Sequence, residues 1–358
     1  MPRKEIAAIG VDVGGTKIAA GLVNGHGEIL AREKEWIEKG TGDGLIPAGQ
    51  IGAMASKLRD AALHKGLRVA GCGVAVPAFV DRAAGKVIWA PNIEGWRDFP
   101  LGRFLEDWTG LPVMLDYDGS AAVLGEQWVG AACGASDAIL LIIGTGIGAG
   151  FIFNGRVYRG ATGLAGGVGW NCLESEAVED PFFRAGGFFE TVAAGPGIAR
   201  KFCLERSLIE GEGDEANIPG DEWDVAGSPG DGEEGAGAPG GGRSEASRAY
   251  WGRGGDVTAE DVFALASKGD PVALGVVREA VRYIGVAAAN LISALNPEVV
   301  VLGGGVGCHL GPYLEEIHQV INWTAQPQAM NVAKVVTAAL GDDGGMIGSA
   351  RNVLESIC

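Results

Sequence analysis

The sequence predicts an α/β protein built from two homologous domains. Two stretches carry this prediction because they resemble each other at a constant offset of 130 residues. Residues 6–23 read IAAIGVDVGGTKIAAGLV, residues 136–153 read SDAILLIIGTGIGAGFIF, and an Asn-Gly pair follows each stretch, at 24–25 and at 154–155. Asn-Gly beside apolar runs is a strong signal for a β-hairpin. Each domain is therefore expected to open with a hairpin that bends at glycines.

Strands and helices are then expected to alternate through the first domain. The patterns predict a helix over 46–65, strands over 69–76 and 113–116, and an extended piece at 87–89. Asp118 and Ser120 are both plausible start signals for a helix that runs to residue 129. We expect the first domain to cover residues 1–118.

The second domain is expected to cover residues 119–344. Asp270-Pro271 and Asn296-Pro297 bracket a long apolar helix over 272–294. A buried strand over 298–302 and three consecutive glycines follow. The last helix, within residues 345–358, is expected to pack back on the first domain.

Composition limits the classes of partner. The chain has 28 basic and 45 acidic residues, a formal net charge of −17, which argues against nucleic-acid and anionic-membrane binding. Its six cysteines are scattered without a Cys-x-x-Cys pair, so reduced thiols and a cytoplasmic protein without a membrane span are expected. A homodimer is one assembly considered, although the sequence does not determine the oligomeric state.

One segment belongs to neither domain. Residues 211–242 contain 11 glycines and nine acidic residues and no basic residue. Such a composition cannot bury enough apolar surface to offset its ordering entropy, so a disordered surface insertion is predicted. The alternative is an acidic docking arm, or a lid that becomes ordered over a substrate.

Two glycine-rich loops are candidate phosphate sites. Glycines after a strand expose backbone N–H groups to an anion because no Cβ blocks the approach. A dinucleotide fingerprint is the alternative at residues 144–149, but it requires a helix next, and a strand follows. The candidate phosphate-binding residues are Gly14, Gly15, Thr16, Gly144, Thr145, Gly146 and Gly148.

A series of motifs in order resembles the ROK family of sugar kinases and repressors. They are Asp12-Val-Gly-Gly-Thr-Lys17, Ala90-Pro-Asn-Ile-Glu-Gly-Trp96, Asp118 followed by Leu124-Gly-Glu126, Gly144-Thr-Gly-Ile-Gly148, Tyr158-Arg-Gly-Ala161, Asn296-Pro-Glu-Val-Val-Val-Leu-Gly-Gly-Gly-Val306 and Leu340-Gly-Asp-Asp343. The resemblance implies the actin-like, hexokinase-type fold. In that fold two ribonuclease-H-like domains hold ATP and sugar in the cleft between them.

The resemblance also implies roles for single residues. Asp118 is the expected catalytic base, and a simple helix cap is the alternative. Asp12 would reach Mg²⁺ through water, and Lys17 would meet a phosphate or remain solvated. The remaining candidates are Gly303, Gly304 and Gly305 for adenine or ribose, and Asn92, Asp118, Glu190 and Trp170 for the acceptor.

The sequence departs from the family where the sugar and a zinc ion are bound. The family's Glu-x-Gly-His motif reads Gly167-Val-Gly-Trp170 here, and its zinc cysteines align with Pro181, Phe183 and Phe188. None of the four zinc ligands is present, so no zinc is expected. Four phenylalanines, Phe182, Phe183, Phe188 and Phe189, are expected to replace the metal with an apolar plug. Trp170 would stack on a sugar or cyclitol, or pack on that plug.

The acceptor pocket departs further from the family. Tyr117 and Ser120 stand where asparagines are expected before and after Asp118, and Ala75-Val-Pro77-Ala78 replaces a Gly-x-Pro-Gly turn. The predicted function is an ATP- and Mg²⁺-dependent kinase of a hexose, glucose by default. The alternatives are a kinase of a modified sugar or cyclitol, and a non-catalytic protein that senses ATP or sugar. A repressor is set aside because only five residues precede the first strand.

Overall fold

The structure is a computed structural model that describes residues 5–38, 42, 44–90, 92–184, 186–210 and 257–356. The insertion predicted at 211–242 lies outside these residues. The strands are, in chain order, β1 (Ile6–Val13), β2 (Lys17–Asn24), β3 (Ile29–Trp36), β4 (Arg68–Val76), β5 (Phe79–Asp81), β6 (Lys86–Trp89), β7 (Arg97–Phe99), β8 (Val113–Tyr117), β9 (Ala138–Ile143), β10 (Ile147–Phe153), β11 (Arg156–Tyr158), β12 (Val299–Gly303) and β13 (Lys334–Thr337).

Two five-stranded sheets have the same strand order. The first runs β3-β2-β1-β4-β8 and the second β11-β10-β9-β12-β13. In each sheet the first three strands in chain order form two antiparallel pairs, and the last two strands join in parallel. The duplication predicted from the 130-residue offset is therefore confirmed, because β9 and β10 repeat β1 and β2. A three-stranded sheet, β5-β6-β7, accompanies the first five-stranded sheet.

Helices cover the sheets and connect them. They are α1 (Leu45–His64), α2 (Leu101–Thr109), α3 (Asp118–Val129), α4 (Pro181–Arg184), α5 (Phe188–Ala193), α6 (Gly195–Glu210), α7 (Ala259–Ser267), α8 (Pro271–Leu295), α9 (Gly304–Gly307), α10 (Leu314–Thr324), α11 (Pro327–Met330) and α12 (Gly344–Ser356). Short 3₁₀ turns lie at Val168–Trp170, Ser175–Ala177, Gly311–Tyr313 and Gly341–Asp343. Among the described helices, none is long and apolar enough to cross a membrane.

The ends of α8 follow the sequence signals. The Asp270 side chain accepts the N–H groups of Val272 and Ala273 at 3.1 and 3.0 Å, and Asn296 closes the helix in the left-handed conformation at φ 48°. The helix α3 begins at Asp118 and ends at Val129, as predicted. Tyr117 is the N-cap, with no side-chain hydrogen bond, and α3 begins at Asp118 itself, so neither Asp118 nor Ser120 caps the helix.

The last helix, α12, lies directly against β1, β4 and α3. Glycines permit this approach: a Cβ on Gly10 would lie 1.9 Å from the Met346 carbonyl oxygen, and one on Gly73 would lie 2.1 Å from that of Ser349. A Cβ on Gly348 would lie 1.7 Å from the Ala121 oxygen. The C-terminal helix thus joins the first sheet to α3. The proposed limits of the two domains stay a prediction.

Candidate active site

A cavity of about 460 Å³ lies between the two sheets. The first sheet contributes Asp12, which is the next-to-last residue of β1. Leu140 and Ile142 of β9 contribute from the opposite side, and Asp118 lies at the start of α3. Both halves of the chain therefore build this cavity, as expected for a cleft between two duplicated domains.

The carboxyl group of Asp12 is affected by burial and by nearby charges in this cavity. Burial raises the pKa of Asp12 from 3.8 to about 7, with the negative charges of Asp118 and Asp342 acting in the same direction and Lys17 opposing them. Gly345 of α12 leaves space for the Asp12 carboxylate because it has no side chain. A Cβ on Gly345 would lie 2.7 Å from Cγ of Asp12. A cation or a proton is therefore favoured beside Asp12.

Asp118 is held by a single short hydrogen bond. Its Oδ1 accepts the N–H of Gly119 at 2.7 Å, whereas Oδ2 accepts no hydrogen bond from any described residue. Burial raises the pKa of Asp118 to about 6, and the Gly119 N–H opposes this rise. A carboxylate with one oxygen fixed and one free at the cavity has the geometry of a general base.

Ion pairs cross the mouth of the cavity. Lys17 pairs with Asp342, and Arg32 donates two hydrogen bonds to Asp343 at 2.8 and 2.7 Å. These pairs connect β2 and β3 to the turn at Gly341–Asp343, which precedes α12. Lys17 is thus ion-paired here, rather than free in solvent.

A buried glutamate holds the segment that leads to this turn. Glu126 in α3 is 1% exposed and accepts the N–H groups of Ala131, Ala339 and Leu340 at 2.7, 3.2 and 2.9 Å. The motifs Leu124-Gly-Glu126 and Leu340-Gly-Asp-Asp343 therefore meet in space. From the sequence, Glu126, Asp342 and Asp343 were assigned no role. Both motifs place acidic residues directly after Leu-Gly, and this shared pattern could have indicated a role.

The predicted phosphate-binding residues fall into two groups. Asp12, Gly14, Lys17, Gly303 and Gly304 line the cavity. The other residues of this set lie outside its lining, namely Gly15, Thr16, Gly144, Thr145, Gly146, Gly148 and Gly305.

The second glycine loop borders two other features. At one end, a Cβ on Gly144 would lie 3.7 Å from the Gly305 nitrogen, so the loop adjoins the 303–305 turn. At the other end, Glu190 accepts the N–H of Ile147 at 2.8 Å through Oε2, and burial raises the pKa of Glu190. The loop therefore lies between the glycines predicted to approach adenine or ribose and Glu190, a predicted acceptor residue.

Aromatic rings occupy the region of the family's zinc site. The ring centroids of Phe182 and Phe183 lie 5.1 Å apart, and those of Phe183 and Phe188 lie 4.8 Å apart. Phe188 also packs edge-on against Tyr283. No cluster of three or more His, Cys, Asp or Glu side chains suited to a metal occurs within the described ranges. The predicted absence of zinc stays a prediction.

Two further acceptor candidates lie at the surface. Trp170 is 63% exposed, and its ring contacts no other aromatic ring in the described part of the chain, so it does not pack on the phenylalanine cluster. Asn92 is on an exposed turn that follows β6. Neither residue lines the cavity.

The duplicated sheets with a cavity between them define a protein of the actin-like ATPase fold. The ROK family model matches residues 8–355, and the chain belongs to the ROK family. A glucokinase from Halalkalibacterium halodurans is 35% identical over 341 residues, which cover 95% of this chain and 92% of that protein.

Two solved structures are similar over nearly their whole length. The ROK hexokinase from Thermus thermophilus is 29% identical with a TM-score of 0.73, covering 98% of this chain and 99% of that one. A ROK glucokinase from Streptomyces griseus, in complex with glucose and AMPPNP, is 27% identical with a TM-score of 0.70 and the same coverage. The predicted family and fold class are confirmed.

Proposed function

We propose that this protein is an ATP-dependent hexose kinase of the glucokinase type. The observation that carries the proposal is the free Oδ2 of Asp118 in a cavity between two duplicated sheets. The similarity to glucokinases over 95% of the chain supports it. A similar solved structure contains glucose together with AMPPNP, which supports a sugar acceptor and a nucleotide donor for this chain as well.

Asp118 is the proposed catalytic base. Transfer of a phosphoryl group to a hydroxyl requires the hydroxyl proton to leave, and a carboxylate within hydrogen-bond reach accepts it. With a pKa of about 6, Asp118 is mostly ionised at neutral pH and is a stronger base than an exposed aspartate. Its position at the first residue of α3 fixes the carboxylate through the Gly119 N–H.

Asp12 is the proposed carboxylate on the side of Mg²⁺. Burial, and then the charges of Asp118 and Asp342, raise its pKa, and a divalent cation beside it would offset these effects. Because no three-residue ligand cluster occurs in the described ranges, the ion would be held by ATP phosphates and water, with Asp12 and Asp342 beside them. When bound, Mg²⁺ supplies charge neutralisation on the phosphates.

Backbone amides are the proposed nucleotide contacts. Gly14 follows β1 at the cavity. On the other side, Gly303 is the last residue of the buried strand β12, and Gly304 follows it. Gly304 has φ 84° and closely approaches the Ile143 backbone, which only glycine tolerates. Residues 144–148 remain candidates for the phosphates.

Glucose is the default acceptor, and a modified sugar or cyclitol is the alternative, because the family's Glu-x-Gly-His motif is absent. Glu190, Asn92 and Trp170 remain the proposed acceptor residues with Asp118. A protein that only senses ATP or sugar is a second alternative. It predicts binding without turnover. A cytoplasmic location and a homodimer also stay predictions.

ATP consumption on a panel of sugars, aminosugars and cyclitols tests the proposal. We expect turnover on at least one hexose, and we expect Asp118→Asn to lower kcat by at least about 100-fold, the lower range for loss of general-base catalysis. Asp107→Asn is the matched control because its carboxylate is 63% exposed on α2, and it should keep full activity.

Two outcomes would contradict the proposal in different ways. Ligand binding without turnover on any acceptor would favour the sensing alternative. Turnover that Asp118→Asn retains would leave a kinase but would remove Asp118 as its base.

A further inference from the structure

We propose that Tyr117 is a specificity-determining residue of the acceptor pocket, whose phenol donates a hydrogen bond to a hydroxyl of the sugar or polyol. This inference rests on the proposed kinase function and deepens it. Tyr117 is the last residue of β8, and it directly precedes the proposed base Asp118.

The Tyr117 ring occupies a slot formed by glycines from three segments. A Cβ on Gly119 in α3 would lie 2.6 Å from Cε1 of the ring, and a Cβ on Gly166 would lie 3.4 Å from the same atom. A Cβ on Gly148 of β10 would lie 2.4 Å from the phenol oxygen. Side chains at positions 119 and 148 would therefore collide with the ring or its hydroxyl, so the slot fixes where the phenol points.

The phenol oxygen of Tyr117 and the carboxylate of Glu190 both lie beside residues 146–148. Oε2 of Glu190 accepts the Ile147 N–H, and it would lie 2.8 Å from a Cβ on Gly146, two residues before the glycine at the phenol. The charges of Asp118 and Glu190 both add to the effect of burial in raising the pKa of Tyr117, so both carboxylates act on its hydroxyl. Tyr117 is thus placed among the acidic groups proposed for the acceptor.

The hydroxyl of Tyr117 has a hydrogen-bonding capacity that the described residues leave unused. It makes no hydrogen bond to any residue that the structure describes, although the side chain is largely buried. The raised pKa keeps the phenol protonated, and it therefore offers a donor at neutral pH. A polar group left unpaired when a ligand covers it is costly, so an acceptor that presents an oxygen at this point is favoured over one that does not.

Because the chain departs from the family's sugar-binding motif, that motif supplies no side chain that would hydrogen-bond the acceptor in place of the Tyr117 phenol. Gly167 has no side chain where the family has glutamate, and a Cβ there would meet only Trp170 Cδ1, at 3.9 Å. Trp170 itself is exposed. The family's motif offers a carboxylate and an imidazole to the acceptor at positions 167 and 170. In this chain Tyr117 and Glu190 would recognise the acceptor instead.

The test compares Tyr117→Phe with the wild-type enzyme on the best acceptor and on its single-deoxy analogues. The substitution removes one oxygen and keeps the ring in its slot, so the fold is retained. We expect kcat/KM for the parent acceptor to fall about 10-fold, the size of one neutral hydrogen bond, with KM for ATP unchanged. One deoxy analogue, which lacks the partner hydroxyl, should be used equally well by both enzymes.

Tyr158→Phe is the control because this tyrosine is 52% exposed, and it should change no acceptor's kcat/KM. Equal losses on every analogue, or no loss with Tyr117→Phe, would overturn the assignment while leaving the kinase function intact. Absence of turnover by the wild-type enzyme on every acceptor would instead overturn the proposed function, and the assignment of Tyr117 with it.

Discussion

Asp12 is placed where a negative charge is unfavourable until something neutralises it. Its carboxyl group is enclosed by β1 and the first turn of α12, and it shares the cavity with Asp118 and Asp342. Lys17 compensates only in part, because it pairs with Asp342. This arrangement suits a site that receives phosphates together with a cation, and it costs stability when the site is empty.

We predict that Asp12→Asn stabilises the protein increasingly as pH rises. The folded pKa of about 7 lies above the ordinary 3.8, so between these values the folded protein holds a proton that the unfolded chain has lost. Stability of the wild type therefore falls as pH rises through this window, and the asparagine variant lacks that loss. One pKa unit corresponds to about 1.4 kcal/mol, so the gap at about pH 8 should reach a few kcal/mol.

Thermal unfolding at about pH 4 and pH 8 measures this gap. The two proteins should have similar Tm values at the lower pH and should differ at the higher pH. Asp107→Asn, on an exposed carboxylate, should show no pH-dependent difference from the wild type. A gap for Asp12→Asn that stays constant over this range would show that Asp12 has no raised pKa.

At the scale of elements, the C-terminal helix determines how the cavity closes at its base. Gly344 and Gly345 begin α12 beside the carboxyl group of Asp12, and later glycines let the helix backbone touch α3 and the first sheet. In the closest of these approaches, a Cβ on Gly348 would lie 1.7 Å from the Ala121 oxygen, which is a backbone atom that cannot rotate away. The helix must therefore shift if this glycine acquires a side chain.

We predict that Gly348→Ala lowers the free energy of unfolding by about 1–3 kcal/mol or more through overpacking. Gly275→Ala is the matched control because it also lies inside a helix, α8, where a Cβ meets nothing within 4 Å. That change should stabilise the protein by about 0.5–1 kcal/mol through helix propensity. Urea unfolding compares the two, and stabilisation by both alanines would contradict the close packing of α12.

At the scale of the whole molecule, a buried charge network joins the two sheets behind the cavity. Asp116 of β8 has a side chain only 3% exposed and accepts two hydrogen bonds from Arg159, at 3.0 and 2.6 Å. Arg159 directly follows β11 of the second sheet. Arg82 lies 3.6 Å from the same carboxylate, and Asn352 of α12 donates to it at 3.2 Å. Both sheets and α12 therefore contact one another at Asp116, which lies two residues before Asp118.

We predict that Arg159→Ala lowers the free energy of unfolding by about 3–5 kcal/mol, because it leaves the buried Asp116 carboxylate without its closest charge partner. Arg103→Ala removes an exposed pair with Asp107 and should cost less than about 1 kcal/mol. Chemical denaturation measures both changes. Equal, small effects would mean that Arg82 and Asn352 satisfy Asp116 without Arg159.

Much of the fold could be predicted from local sequence patterns. The glycine-bent hairpins and the limits of α8 were visible because each depends on neighbouring residues. The start of α3 at Asp118 was visible too, but nothing local shows that Tyr117 is its N-cap and that Asp118 faces a cavity. The packing of Trp170 on the phenylalanines was also an open alternative that its exposure excludes.

The candidate site was predicted in part. One cavity is lined by six of the predicted residues, namely Asp12, Gly14, Lys17, Asp118, Gly303 and Gly304. Residues 144–148 lie outside this lining, and Glu190 accepts the N–H of Ile147 in this segment. The placement of the second loop depends on the angle between the two sheets. The helix α12 packs on the first sheet and on α3, and α3 packs on the second sheet, and no local pattern records these contacts.

Local sequence accounts for the duplicated strand pattern, the glycines that interrupt it, and the carboxylates near the end of β1 and directly after β8, because these features repeat or lie within a few residues of one another. Only the tertiary structure decided which distant groups meet. Lys17 pairs with Asp342, 325 residues later, Glu126 binds the backbone of Leu340, and the Tyr117 ring occupies a slot of glycines from three segments. Such long-range contacts arise because whole faces of sheets and helices are buried, and they therefore depend on the packing of the complete chain.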